Sequence, residues 1–357
     1  METNTGIIET PLLSAHRAEG AKVAEFSGVL LPETFSDFEA EYRAGRETVA
    51  LIDTNWHLTA NFTGRDRVKY LHAVTSANVK DLAPNQGILG LLLNPQGRIL
   101  AELEMYALAE SILLRSHISL REQTLATLRK YILGSQVKLE DATDSTGSVA
   151  IEGPRVANIV HKLCGIEIEG LPEMSITETV VGEIPCQLLR RSRFSSSGAE
   201  FIVGRDALAG LWEKLLAAVR GQGGAPIGMA ALNSLRLTAG CPWFPADFND
   251  SMIPHEASVE ATHVSPNKGC YTGQEIVERV RSQGRVNRKR LKLKFSSPAP
   301  PSSGTKLHAN GAEVGFVTSA AYSPDDGVAI GMGYLRREYH ATGSVVEYED
   351  GKAEVIE

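Results

Sequence analysis

Cysteine is scarce, and the four that occur, Cys164, Cys186, Cys241 and Cys270, are widely spaced with no Cys-x-x-Cys pair among them. That spacing argues against a structural zinc site and against a disulfide framework, and free thiols fit a reducing compartment. Long hydrophobic runs are missing too. Ile88–Leu93 is typical of those present, far short of the roughly 18 residues that a spanning helix needs, so no membrane span is expected. Met1-Glu2-Thr3-Asn4-Thr5 has no basic segment followed by an apolar one, which does not read as a secretory signal and makes the cytoplasm the expected location. Gly331-Met332-Gly333 lacks the third glycine and the strand-to-helix setting of a dinucleotide loop.

What is present is a globular composition: 357 residues, 43% hydrophobic and 22% charged, enough for two or three domains with substantial cores. Charge is unevenly placed. From Lys268 to Lys294 nine Lys or Arg stand against Glu275 and Glu278, a local net of +7 in a chain of net −7, so the remainder carries −14. A basic belt on an acidic protein suits an anionic ligand or partner, with Arg279, Arg285 and Arg288 as candidate contacts; a solvated face is the plainer alternative.

The pattern along the chain is mixed. Residues 1 to about 25 are weakly patterned, whereas Phe35, Phe38 and Tyr42 have helical spacing. Strands are expected at Val49–Ile52 and Leu58–Phe62, then a helix capped by Thr63 and Asp66 and carrying Val68, Leu71 and His72, the last a helix-face residue before it is a ligand. Ile88–Leu93 and Ile99–Tyr106 are joined by Asn94-Pro95-Gln96-Gly97, which places Asn, Pro and Gly where a type I turn wants them. Ser119 and Glu122 suggest the cap of a helix through Ile132, and Gly165 the stop of one over Val156–Leu163. Strands at Ile184–Leu189 and Phe201–Val203 precede helices over Ala207–Val219 and through Leu232, Leu235 and Leu237. Cys241–His255, with three prolines among Trp243, Phe244, Phe248 and Met252, is too irregular for a helix yet apolar enough to pack and line a pocket. From Arg290 the chain turns to β, with hairpin signals at Asn310-Gly311 and Asp350-Gly351 and edges that a small antiparallel barrel would close.

The stretch that carries chemistry is Lys268-Gly269-Cys270-Tyr271-Thr272-Gly273-Gln274-Glu275. Thr272 followed by Glu275 is a capping-box pattern, so a helix is expected to start just after Cys270. Free backbone N–H groups, the positive end of the helix dipole and Lys268 would then all favour a Cys270 thiolate. Read without that setting, a single cysteine is a small buried apolar residue.

That string, followed by Arg279 and by Gly284-Arg285-Val286-Asn287-Arg288, closely resembles the signature of the YgfZ family, folate-binding relatives of the glycine-cleavage T protein tied to iron–sulfur protein maturation and, through it, tRNA modification. Phe62–Asp66, Thr75–Val79, Leu92–Arg98, Ser234–Gly240, Ile253–Ala257 and Gly315–Ser319 resemble its other motifs. The resemblance implies an α+β, three-lobed ring-like T-protein fold with a C-terminal antiparallel β-barrel. Its lobes would be a folate-binding-like segment 1–145, a second α+β segment 146–289 ending in the Cys270 motif, and a barrel 290–357. It implies tetrahydrofolate or a derivative in a central channel, with Asn94, Arg98, Glu102, Arg236 and Glu256 as candidate contacts, although each could equally be a turn residue, surface charge or ion pair. Partners would be iron–sulfur assembly or client proteins. One motif cysteine cannot hold a cluster needing about four thiolates, so any cluster would be transient and shared.

Departures from the aminomethyltransferase branch matter. Gly97-Arg98-Ile99-Leu100-Ala101-Glu102 has alanine at one of two acidic positions, and Phe194-Ser195-Ser196-Ser197-Gly198 replaces a run that carries carboxylates. Three functions follow for testing: a tetrahydrofolate-binding maturation factor acting through Cys270, a folate-dependent aminomethyltransferase, and an RNA-binding accessory module using the basic belt.

Overall fold

The computed structural model describes residues 6–132 and 134–357; Met1–Thr5, read above for a secretory pattern, lie outside them. The chain packs as two compact units, one of residues up to Tyr70, Val79–Ile88 and Leu103–Leu232, the other of Leu71–Asn78, Leu89–Glu102 and Asn233–Glu357.

The first unit is built on a six-stranded sheet whose strands run in the order Ser175–Val181, Ile184–Arg190, Gly198–Gly204, Thr146–Glu152, Ala50–Asp53, Ala225–Pro226. The helices Val156–Cys164 and Leu208–Gly221 bury Ile159, Val160, Leu211, Trp212 and Leu215 in one core with Val149, Ile151, Phe201 and Val203 of the sheet. Gly165 ends the first of these helices in the left-handed conformation, as expected of it. The helix Phe38–Glu47 starts at Asp37, whose side chain accepts from the N–H groups of Glu39 and Ala40. His57–Thr63 pairs with Ile112–His117 on one side and Lys138–Asp141 on the other. The weakly patterned start holds more order than its sequence suggests: Leu13–Ala18 is helical, and Ile8–Glu9, Lys22–Phe26 and Val29–Thr34 form a small sheet. The helix expected from Ser119 runs only over Arg121–Lys130, and no side chain among the described residues caps it, because a 3-10 turn over Ile118–Leu120 leads into it.

The second unit carries a closed barrel of six antiparallel strands, Arg288–Phe295, Lys306–Ala309, Ala312–Ser323, Val328–Arg336, Val345–Tyr348 and Gly351–Ile356. Alternation puts Leu293, Phe295, Val317, Val346 and Val355 into its core. Asn310 and Gly311 both take positive φ, 52° and 78°, in the two-residue loop between Ala309 and Ala312, the geometry such a hairpin requires. Gly331 and Gly333 lie in a barrel strand, where an added Cβ would meet the carbonyl oxygens of Ser319 and Phe316 at 2.3 and 2.6 Å. Cys241–His255 forms the irregular, packed segment expected, burying Phe244, Phe248 and Met252. Among the described residues no helix is long and apolar enough to cross a membrane.

Candidate functional site

In the second unit the Cys270 motif docks on the turn Asn94–Gly97. Gly97 closes that turn by donating its N–H to the Asn94 carbonyl at 2.9 Å, while Asn94 Oδ1 accepts from the N–H groups of Gln96 and Arg98, both at 2.9 Å. Gly273 lies against it with φ 82°, and Ile276 lies over Gly97. This docking overrides the capping box. The helix begins at Gln274, Gly273 is its N-cap, and neither Thr272 nor any other side chain among the described residues caps it. The expected helix start beside Cys270 is therefore corrected: Cys270 stands three residues before the N-cap, exposed in the loop.

Lys268 is engaged at a helix end. Its buried Nζ donates to the carbonyls of His72 and Thr75 at the end of the helix Arg67–Val74, and it lies 4.8 Å from the centre of the Tyr271 ring. Carbonyls at a helix end call for donors from outside the helix, and Lys268 supplies one to both. Burial pulls its ammonium down to about 8 and pushes the buried Tyr271 phenol up to about 12. Ser76 adds a second staple, accepting the Leu91 N–H at 2.8 Å and donating to the His263 carbonyl at 2.6 Å.

The candidate carboxylates are paired. Glu102 lies 2.9 Å from His263 Nε2, the imidazole buried and the carboxylate partly open, an arrangement that can hold or pass a proton. His263 had no signal in the sequence, since its partner is 161 residues away. Glu256 is bracketed by Arg98 at 3.4 Å and Arg288 at 3.2 Å, and both guanidinium groups also donate to the Ser251 carbonyl. Arg236 is buried against Asp247 at 2.6 Å and stacks over Trp243 at 5.0 Å. Burial would raise the Asp247 carboxyl, but Arg236, Ser319, the Trp243 N–H and Thr318 together lower it. Asp247 was likewise missed, because nothing local marks it.

The cations of the basic belt are engaged in different ways. Arg279 pairs with Glu275, Arg281 with Glu278, Lys294 with Asp326, and Lys292 and Arg290 donate to the carbonyls of Thr238 and Ala257. Arg285 and Lys289 have no such partner among the described residues and line one cavity.

In the first unit, the segment that lacks carboxylates is organised by one from elsewhere. Glu152 Oε1 accepts the N–H groups of Arg193, Phe194 and Ser195 at 2.6, 2.5 and 2.9 Å. Beside it, buried Glu200 bridges Arg115 and Arg193, each at 2.5 Å, and Glu104 joins Arg191 at 2.9 Å. Burial lowers His57 to about 3, helped by Arg115; it would raise Glu104, but Arg191 and Arg115 bring that carboxyl to about 2.

No three His, Cys, Asp or Glu side chains converge to hold a metal among the described residues. Cys164 and Cys241 are half-buried, Cys186 is buried and Cys270 is exposed; since no three such side chains gather among the described residues, the cysteines do not fit as the ligands of a resident four-thiolate cluster.

The GCVT N-terminal domain model matches residues 12–266 and the glycine cleavage T-protein C-terminal barrel domain model matches 288–356. The chain belongs to the glycine cleavage T-protein family. Within the family it is 27% identical to an aminomethyltransferase of Geobacillus kaustophilus (strain HTA426), over 95% of this chain and 93% of that protein. It is 26% identical to one of Shouchella clausii (strain KSM-K16), over 97% and 94%. The crystal structure of glycine cleavage system aminomethyltransferase T from Bartonella henselae superposes with TM-score 0.89, at 24% identity, over 99% of this chain and 97% of that one. That likeness shows a shared T-protein fold, mixed α+β with its terminal barrel. The helix Gln274–Gln283 and the whole Cys270 motif, Lys268–Glu275, fall between the two matched stretches.

Proposed function

We propose that this T-protein relative binds a reduced folate and acts as a tetrahydrofolate-dependent aminomethyltransferase, with the folate as acceptor of the one-carbon unit. The observation that carries the reading is Glu102, the carboxylate retained at the end of Gly97–Glu102 and held by His263 at 2.9 Å. Collinearity with aminomethyltransferases over nearly the whole chain supports it. The test is calorimetric titration with tetrahydrofolate, followed by an aminomethyl-transfer assay on wild type and Glu102→Gln. Saturable binding with transfer lost in the variant is expected; wild-type protein that binds no reduced folate ends the reading.

A second reading is favoured by the exposed thiol of Cys270, together with Ala101 and the serines at 195–197 where transferases carry acids. It is the one the YgfZ resemblance implies, a tetrahydrofolate-binding maturation factor for iron–sulfur proteins that indirectly supports tRNA modification. Here folate binds without transfer, and any cluster is shared transiently with a client through Cys270. Complementation of cells lacking the gene separates the two: Cys270→Ser should fail to restore iron–sulfur enzyme activity while still binding folate. Full restoration by Cys270→Ser would leave the transferase reading alone.

A further inference from the structure

The two belt cations without a protein partner among the described residues, Arg285 and Lys289, line a cavity of about 540 Å³ in the second unit, where Arg337, distant in sequence, joins them. The Arg337 N–H donates to the Asn287 carbonyl at 3.0 Å, which ties its turn to the segment that holds Arg285 and Lys289. Val264, Val277, Val280 and Val286 give the cavity an apolar wall. Two polar atoms of the lining are left incomplete: His255 Nδ1 and Glu260 Oε2 are buried without a hydrogen-bond partner among the described residues, and both residues line the same cavity. Buried polar atoms without partners are costly and mark places where a ligand or water completes the bonding. Arg281 and Glu278 compensate each other at 3.4 Å, and His340 Nε2 already bonds the Leu335 carbonyl at 2.9 Å. Three cations against the Glu260 carboxylate therefore leave the cavity at net +2.

We propose that this cavity is a binding site for a small organic phosphate dianion of nucleoside-monophosphate size. A phosphate monoester carries close to two negative charges at neutral pH and three acceptor oxygens, which matches two guanidinium groups and an ammonium. The valine wall suits the flat apolar face of a base. An N–H or O–H of the body satisfies Glu260 Oε2, and His255 offers its ring nitrogen beside it. Burial lowers the His255 imidazole, so it is neutral at pH 7, with one nitrogen to accept and one to donate. None of these side chains belongs to the Glu102 and Cys270 constellation, so the site stands independently of the folate reading.

The experiment is isothermal titration of the full chain with AMP, adenosine and inorganic phosphate at pH 7.5. Saturable AMP binding is expected, with adenosine and phosphate each at least about tenfold weaker because each keeps only half of the recognition. Arg337→Ala and Arg285→Ala should each weaken AMP by about tenfold or more without moving the melting temperature, since both side chains are exposed and unpaired among the described residues. Saturating tetrahydrofolate should leave AMP affinity unchanged. Absence of AMP binding, inorganic phosphate that binds as well as AMP, AMP affinity indifferent to both arginine variants, or displacement by tetrahydrofolate would each overturn the proposal.

Discussion

Gly273 approaches the Asn94 carbonyl so closely that a Cβ at position 273 would lie 2.6 Å from its oxygen, and its φ of 82° is one that side chains avoid. The loop that presents Cys270 is therefore fixed by backbone contact with a turn far away in the chain. Gly273→Ala should destabilise the protein by at least about 1 kcal/mol, read as a lower denaturant midpoint, and should shift the amide resonances of Asn94 and Gly97. A variant as stable as wild type, with those resonances unmoved, would contradict the contact.

Lys268 makes the same loop depend on a helix end. Lys268→Met keeps the bulk but leaves the His72 and Thr75 carbonyls without their donor. A loss of about 1–3 kcal/mol is expected, with hydrogen exchange accelerated at the C-terminal turn of Arg67–Val74. If exchange rises nowhere near that turn, Lys268 is not its cap.

Glu200 neutralises two buried arginines in the first unit, Arg115 and Arg193, each 2.5 Å away. Glu200→Ala should cost about 3–5 kcal/mol, since two guanidinium groups are left buried without their shared partner. Arg193 lies 5.7 Å from the centre of the Trp56 ring, so tryptophan fluorescence during unfolding reports on this cluster.

The same cluster makes stability depend on acid. His57 is held at about 3 against an ordinary 6.5, and Glu104 at about 2 against 4.5. In both windows the unfolded chain binds more protons than the folded one, so stability falls as pH drops, from 6.5 to 3 through His57 and from 4.5 to 2 through Glu104. His57→Gln should flatten the upper part of that slope in denaturant titrations across pH. A slope unchanged by the substitution would remove His57 as its source.

Thiol reactivity should follow exposure. Cys270 is exposed, burial raises the Cys164 thiol, and burial pushes Cys186 up to about 12. Alkylation of the native protein followed by mass spectrometry should label Cys270 first and Cys186 last. Labelling of Cys186 ahead of Cys270 would contradict the packing described here.

Sequence alone determined what depends on neighbouring residues. Asn94–Gly97, Asn310-Gly311 and Gly165 adopt the turns and the helix stop their side chains and missing Cβ atoms dictate, because those preferences are set within four residues. Period-two alternation likewise marked the barrel strand at Leu291–Phe295, since one face must meet the core. Tertiary structure decided the partners. Thr272 and Glu275 form a legible capping box that is not used, because close packing of Gly273 on Asn94 sets where the helix begins. The +7 belt reads as one patch in sequence, yet Glu256, Asp326 and distant carbonyls take most of its charges. Glu102 with His263, and Lys268 with His72, are separated by 161 and 196 residues. Such pairs are set by how distant segments pack against one another, which no local preference encodes.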